Sequence, residues 1–327
     1  MNRRLTLAAE RFPTRGSFTI SRSTVTAVDL VVATLEVDGA RGRGECRPYA
    51  RYGESPASVL EEIERLRGAI EDGMTRADLQ AAQKPGAARN ALDCALWDLE
   101  AKQSGKTVWQ LAGLPKPRPV VTAYTLSLDS PEAMARAAAA NRHRPLLKLK
   151  LAGPEDLARV AAVRAAAPEP RLIVDANEGW TLESFRAIAP RLVELGVALV
   201  EQPLPAAEDA PLAGQSWPLP LCADESSHDR ASLAQLVGRY SHVNVKLDKT
   251  GGLTEALAMV AEARRLGFGL MVGCMVASSL AMAPALLLAE GADYVDLDGP
   301  LLLAEDRPEG LRYDGSTIHP ATAELWG

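Results

Sequence analysis

Lys148 and Lys150 stand two residues apart in the stretch Leu146-Leu147-Lys148-Leu149-Lys150-Leu151. Side chains of a β-strand alternate with period 2, so both lysines share one face and the leucines take the other. Such a strand suits a polar pocket on its lysine side. Three carboxylates follow, each closing an apolar stretch: Asp175 in Ile173-Val174-Asp175, Glu201 in Leu199-Val200-Glu201 and Asp224 in Cys222-Ala223-Asp224. Together they would make a hard, all-oxygen site suited to Mg²⁺. Further on, Lys246 shares a face with Asn244, and Asp296 shares one with Asp298 and Tyr294.

Lysines on two sides of a metal site suit proton traffic at a carbon held between them. A proton α to a carboxylate is very weakly acidic. Its removal needs a divalent ion to take up enolate charge, and a base brought toward neutrality. The nearness of Lys148 and Lys150 predicts that like-charge repulsion lowers the pKa of both. With a lysine on each face, a proton leaves one side and returns on the other, and a stereocentre inverts.

These residues need strands that converge. Apolar strands at 120–128, 146–151, 172–177, 198–203, 219–225, 242–247, 269–275 and 294–299 alternate with helical stretches. Polar landmarks at 125, 148, 175, 201, 224, 246, 273 and 296 are separated by 22 to 27 residues. A β-then-α repeat of this length predicts a (β/α)7β modified TIM barrel, whose strands carry their chemistry at the C-terminal ends. No Gly-x-Gly-x-x-Gly loop follows any strand, which weighs against an open dinucleotide-binding sheet.

The barrel is expected over 116–300, after the proline-rich segment Pro115, Pro117 and Pro119. Residues 1–115 read as an α+β capping domain. A strand over 25–37 turns at Asp38-Gly39 into a short strand or bulge at 42–45. Helices start at Ser55-Pro56 and Thr75. A third runs over about 86–102, with Ala91, Leu92, Ala95, Leu96 and Leu99 as its buried stripe. Residues 301–327 are expected to return to the cap.

With 327 residues and 47% apolar content the chain can bury a large core. A net charge of −6 gives no reason to expect nucleic acid or an anionic membrane as partner. The longest apolar run, 280–289, is too short to span a bilayer. The scattered Cys46, Cys94, Cys222 and Cys274 form no zinc or disulfide framework, and the N-terminus lacks a signal-like apolar run. The expectation is a soluble cytoplasmic protein; association into a homo-oligomer is compatible with this architecture.

The set Lys148-Leu149-Lys150, Asp175-Ala176-Asn177, Glu201-Gln202-Pro203, Asp224-Glu225-Ser226 and Lys246-Leu247-Asp248-Lys249-Thr250-Gly251-Gly252 resembles the muconate-lactonising subgroup of the enolase superfamily. Asp296-Leu297-Asp298 resembles the Asp-x-Asp with which dipeptide epimerases of that subgroup hold a substrate's free amino terminus. The resemblance implies one Mg²⁺ per subunit on Asp175, Glu201 and Asp224, and Lys150 and Lys246 as the two acid/base catalysts. It implies that Lys148 assists near the substrate carboxylate and that Thr125 contacts substrate. An N-terminal-loop cation should meet the substrate side chain; Arg22 is best placed, with Arg11 and Arg15 as alternatives.

The implied substrate is an L-Ala-Glu-like dipeptide, inverted at its C-terminal residue, in recycling of murein peptides. The rival within the subgroup is a lyase or cycloisomerase of the o-succinylbenzoate synthase or muconate cycloisomerase type. The substrate of such an enzyme has no ammonium group for Asp296 and Asp298 to hold.

Overall fold

The computed structural model describes residues 3–327. Strand β1 (Arg4–Ile20) pairs antiparallel with β2 (Ser23–Val37), which pairs in turn with β3 (Ala40–Cys46). The β2–β3 turn places both Asp38 (φ 48°) and Gly39 (φ 82°) in the left-handed region. A tight hairpin turn matching the strand twist requires this. β3 is a regular strand without a bulge.

Helices Pro56–Glu64 and Arg76–Ala82 start on the capping side chains of Ser55 and Thr75. The long helix Ala87–Ser104 buries its expected stripe, and also Asn90, Asp93, Trp97 and Asp98. It is enclosed on both sides: β3 packs on one side, and Asp93 accepts from the Thr254 main-chain N–H (2.9 Å) on the other. A two-faced environment overrides the one-stripe pattern.

β3 lies so close to this helix that a Cβ at Gly44 would collide with the Ala91 carbonyl, and one at Gly42 with that of Ala95. Overpacking of this kind costs about 1–3 kcal/mol. Gly44→Ala should therefore lower the thermal unfolding midpoint by several degrees, read by calorimetry.

Strand β4 (Val120–Val121) precedes the barrel strands β5 (Tyr124–Leu126), β6 (Leu146–Lys150), β7 (Arg171–Asp175), β8 (Val197–Glu201), β9 (Leu221–Ala223), β10 (His242–Val245), β11 (Gly269–Gly273) and β12 (Tyr294–Asp296). All seven ladders from β5 to β12 are parallel and join sequence neighbours. The seam closes where the Ala123 N–H donates to the Val295 carbonyl (2.8 Å). This is the (β/α)7β barrel, with one connection, between β8 and β9, reduced to the 3-10 turn Ala210–Leu212.

The single first strand expected over 120–128 is two. β4 leaves the barrel and pairs with β14 (Thr317–Ile318), which pairs with β13 (Tyr313–Asp314). The chain end meets the cap: the Trp326 indole N–H donates to the Cys94 carbonyl (3.0 Å), and Arg43 donates to the carbonyls of Glu324 and Leu325. Ala123, Leu146, Ile173, Leu199, Cys222, Met271 and Tyr294 fill the barrel interior. They form an apolar floor beneath the polar end. Among the described residues, no helix is long and apolar enough to cross a membrane.

Candidate active site

The C-terminal ends of β6 to β12 deliver the predicted charges to one place. Asp175, Glu201 and Asp224 are buried, and each offers an oxygen within 4.8 Å of the others. Lys150 Nζ lies 2.6 Å from Asp175 Oδ2, and Lys246 Nζ 2.6 Å from Asp224 Oδ2. β6 and β10 are four strands apart in an eight-stranded barrel, so the two ammonium groups approach from opposite sides.

The donor set fits a hard divalent cation. Glu201 Oε2 is fully buried and has no hydrogen-bond donor, although Lys148 Nζ stands 2.6 Å away in an ion pair outside hydrogen-bond geometry. Burial and the charge of Asp175 push Glu201 up to about 7, a penalty that a neighbouring cation relieves. Burial also pushes Asp175 upward, but Lys150 and Lys148 outweigh it and hold that carboxyl at about 2. Lys246 and Lys249 hold Asp224 well below the usual carboxylate range against the same burial.

Lys148 corrects an expectation. Its ammonium does not line the cavity; it is 1% exposed, behind the carboxylates, and donates to Asp296 Oδ2 (2.7 Å). Burial disfavours its charge, but Asp296, Glu201 and Asp175 together hold its pKa well above the ordinary lysine value. Like-charge repulsion from Lys150 does not set the direction. Burial likewise disfavours the Lys246 ammonium, and Asp224 and Glu201 raise it well above the ordinary value.

Thr125, Lys150, Lys246, Asp296 and Asp298 line one cavity under the cap. The Thr125 N–H donates to Asp298 Oδ2 (2.6 Å), and Asp296 Oδ1 is buried without a donor. Burial and the neighbouring Asp296 charge push Asp298 up to about 7. Asp224, Lys246 and Asp298 sit just past the ends of their ladders, on loops rather than in strands.

Arg22, at the tip of the β1–β2 hairpin, reaches the cavity. Its guanidinium donates to Glu225 Oε1 (2.6 Å) and to the Asn177 carbonyl (3.0 Å). The alternatives lie elsewhere: Arg11 pairs with Asp29, and Arg15 donates to the Leu303 carbonyl.

Several residues that the motifs contain without assigning a role prove to hold the carboxylates in place. Lys249 donates to Asp224 Oδ1 (2.6 Å), and Asn244 Nδ2 to Glu201 Oε1 (2.7 Å). A Cβ at Gly273 would strike the Asn244 amide, so that glycine makes room for the contact. Gln202 Oε1 accepts from the N–H groups of Asp224 and Ser226. Asn177, Glu178 and Gln202 all have positive φ, directly after the strands that carry Asp175 and Glu201. Backbone strain at such rims accompanies sites built for chemistry.

The family model described as Enolase C-terminal domain-like matches residues 132–322. That of the mandelate racemase / muconate lactonizing enzyme N-terminal domain matches residues 2–113. The chain belongs to this mandelate racemase and muconate lactonizing enzyme family of the enolase superfamily.

Among its relatives is L-Ala-D/L-Glu epimerase of Escherichia coli (strain K12), 47% identical over 312 residues, covering 95% of this chain and 97% of that one. An N-acetyl-D-glutamate racemase from a Pseudoalteromonas species is 46% identical, covering 91% of this chain and 95% of that one. A solved enolase family member from Agrobacterium tumefaciens, with homology to dipeptide epimerases and with sodium and L-Ala-L-Glu bound, superposes with a TM-score of 0.97. It is 56% identical and covers 99% of this chain and 100% of that one. A dipeptide epimerase from Enterococcus faecalis, complexed with Mg and L-Leu-L-Tyr, is 28% identical with a TM-score of 0.91, covering 100% of this chain and 99% of that one.

Proposed function

We propose that this chain is a Mg²⁺-dependent dipeptide epimerase that inverts the α-carbon of the C-terminal residue of an L-Ala-Glu-like dipeptide. The observation that carries this reading is the opposed pair Lys150 and Lys246, each 2.6 Å from a different carboxylate of one three-carboxylate cluster. Asp175, Glu201 and Asp224 would hold the ion. Bound there, Mg²⁺ supplies the positive charge that lowers the cost of forming an enolate from a carboxylate.

The chain's own groups do the rest. One lysine, as the free amine, takes the α-proton from its side of the carbon. The other, as the ammonium, delivers a proton to the opposite side, and the configuration inverts with no net change in atoms or charge. The reverse reaction exchanges their roles. Lys148 fixes the carboxylate cluster by linking Asp175, Glu201 and Asp296. This position supports electrostatic assistance near the substrate carboxylate.

Asp296 and Asp298, with Thr125 beside them, offer carboxylate oxygens toward the substrate's ammonium group. Arg22 closes the hairpin over the barrel and adds a cation to the cavity wall. We place the activity in the cytoplasm, in recycling of murein peptides that contain D-Glu.

A direct assay is formation of L-Ala-D-Glu from L-Ala-L-Glu, and the reverse, followed by chiral chromatography with Mg²⁺. Absence of either product would sink the reading. Asp298→Asn removes one charge meant for the ammonium, an interaction worth about 1.5–3 kcal/mol. The KM for L-Ala-L-Glu should rise roughly tenfold to a hundredfold by that arithmetic. A lyase or cycloisomerase, whose substrate carries no ammonium, would show no such selective loss.

A further inference from the structure

Two guanidinium groups enter the cavity from the cap, and only one has its charge matched. Arg22 lies 2.6 Å from Glu225 and 3.5 Å from Glu178. Arg47, the residue after β3, also lines the cavity. Its main-chain N–H donates to Asp248 Oδ1 (3.0 Å), while its guanidinium makes one hydrogen bond, from Nη1 to the Val276 carbonyl (3.3 Å). It forms no ion pair among the described residues. Its guanidinium carbon is 5.7 Å from the centre of the Tyr49 ring, and that of Arg22 is 5.9 Å from the same ring.

Phe18, Val25, Met275 and Val276 make the adjoining wall apolar. Arg47 is half-buried, and its guanidinium stays charged, so an anion joining it from the cavity would relieve the cost of its partial burial. The acids whose charge reaches it pair elsewhere: Asp248 accepts from the Arg47 main-chain N–H and from the Asn90 amide, and Asp29 pairs with Arg11.

On the dipeptide-epimerase reading, the substrate's groups divide among these walls. The terminal carboxylate goes to the cluster at the ends of β7 to β9, and the ammonium to Asp296 at the end of β12 and Asp298 just past it. The α-carbon lies between Lys150 and Lys246, which leaves the side chain to face the cap. We propose that Arg47 supplies the unmatched positive charge that selects an acidic side chain on the epimerised residue. Its planar fork matches a carboxylate in two parallel hydrogen bonds, and its contact with Val276 ties that subsite to the loop after β11.

The test compares kcat/KM for L-Ala-L-Glu and L-Ala-L-Gln in the wild type, Arg47→Gln and Arg47→Lys. Glutamine can still donate to the Val276 carbonyl but carries no charge; lysine keeps the charge. The wild type should favour the glutamate dipeptide. Arg47→Gln should cut the Glu-to-Gln ratio by tenfold or more, chiefly through KM, and Arg47→Lys, which keeps the charge but not the fork, should give a ratio between the two. The proposal is overturned by any of three results: a wild type without the preference, an Arg47→Gln ratio within twofold of wild type, or equal loss in both variants. Failure of the wild type to epimerise either dipeptide would overturn the functional reading itself, and this inference with it.

Discussion

Replacing Lys150 or Lys246 with alanine should each reduce epimerisation of L-Ala-L-Glu by about a thousandfold or more, within the range for loss of a positioned acid/base group. The expectation rests on geometry. The two ammonium groups come from strands on opposite sides of the barrel, so neither can serve both faces of one carbon. A single remaining lysine can still remove the proton from the diastereomer that faces it. Each variant should therefore exchange the α-proton of one diastereomer with solvent, and the two variants should choose opposite ones. Proton NMR of the L,L and L,D dipeptides in D₂O reads both effects. If both variants exchange the same diastereomer, the two-sided arrangement is wrong.

Removing the metal should have a comparable effect. Three buried carboxylates offer oxygens within 4.8 Å of one another, and Glu201 Oε2 among them has no hydrogen-bond donor, so the cluster is suited to a further cation. Dialysis against a chelator should abolish turnover, and Mg²⁺ should restore it. Mg²⁺ should also raise the unfolding midpoint, since a ligand that binds only the folded state stabilises it. Glu201→Gln keeps the shape and the amide contact to Asn244 but removes a charge. It should weaken Mg²⁺ binding by roughly a hundredfold or more, beyond the 10- to 100-fold typical of supporting residues. Calorimetric titration of the unsubstrated protein measures this without relying on turnover. Unchanged Mg²⁺ affinity would remove Glu201 from the site.

Much of this site was legible because its residues obey a two-residue period on strands of near-constant spacing. Lys148 with Lys150, and the repeated apolar run ending in a carboxylate, need no knowledge of distant contacts. The helix Ala87–Ser104 was legible as a helix, but not as one buried on all sides, since its second neighbour comes from residue 254. The strands expected over 219–225, 242–247 and 294–299 run past the observed ends of β9, β10 and β12, because period-2 alternation of side chains does not show where a ladder's hydrogen bonds stop. Asp224, Lys246 and Asp298 consequently sit on loops.

The pKa direction of Lys148 was misread for a related reason. Lys150 is near in sequence, whereas Asp296 comes from 148 residues away and Glu201 from 53. Local spacing shows the repulsion and hides the attraction. Arg47 carries no periodic signal, Asn244 shows only the face it shares with Lys246, and Lys249 only its place in a motif. Their significance lies in which partner each meets, or, for Arg47, in the pairing of Asp248 and Asp29 with other groups.

The central claim is that a proton is removed and replaced at one α-carbon, from two sides. Its most direct test incubates the wild type with Mg²⁺ and L-Ala-L-Glu in D₂O and follows the glutamate α-position by NMR and mass spectrometry. Both the L,L and L,D dipeptides should accumulate with one deuterium at that carbon and none at the alanine α-carbon. Recovery of L-Ala-L-Glu with its proton intact and no L,D product would contradict it.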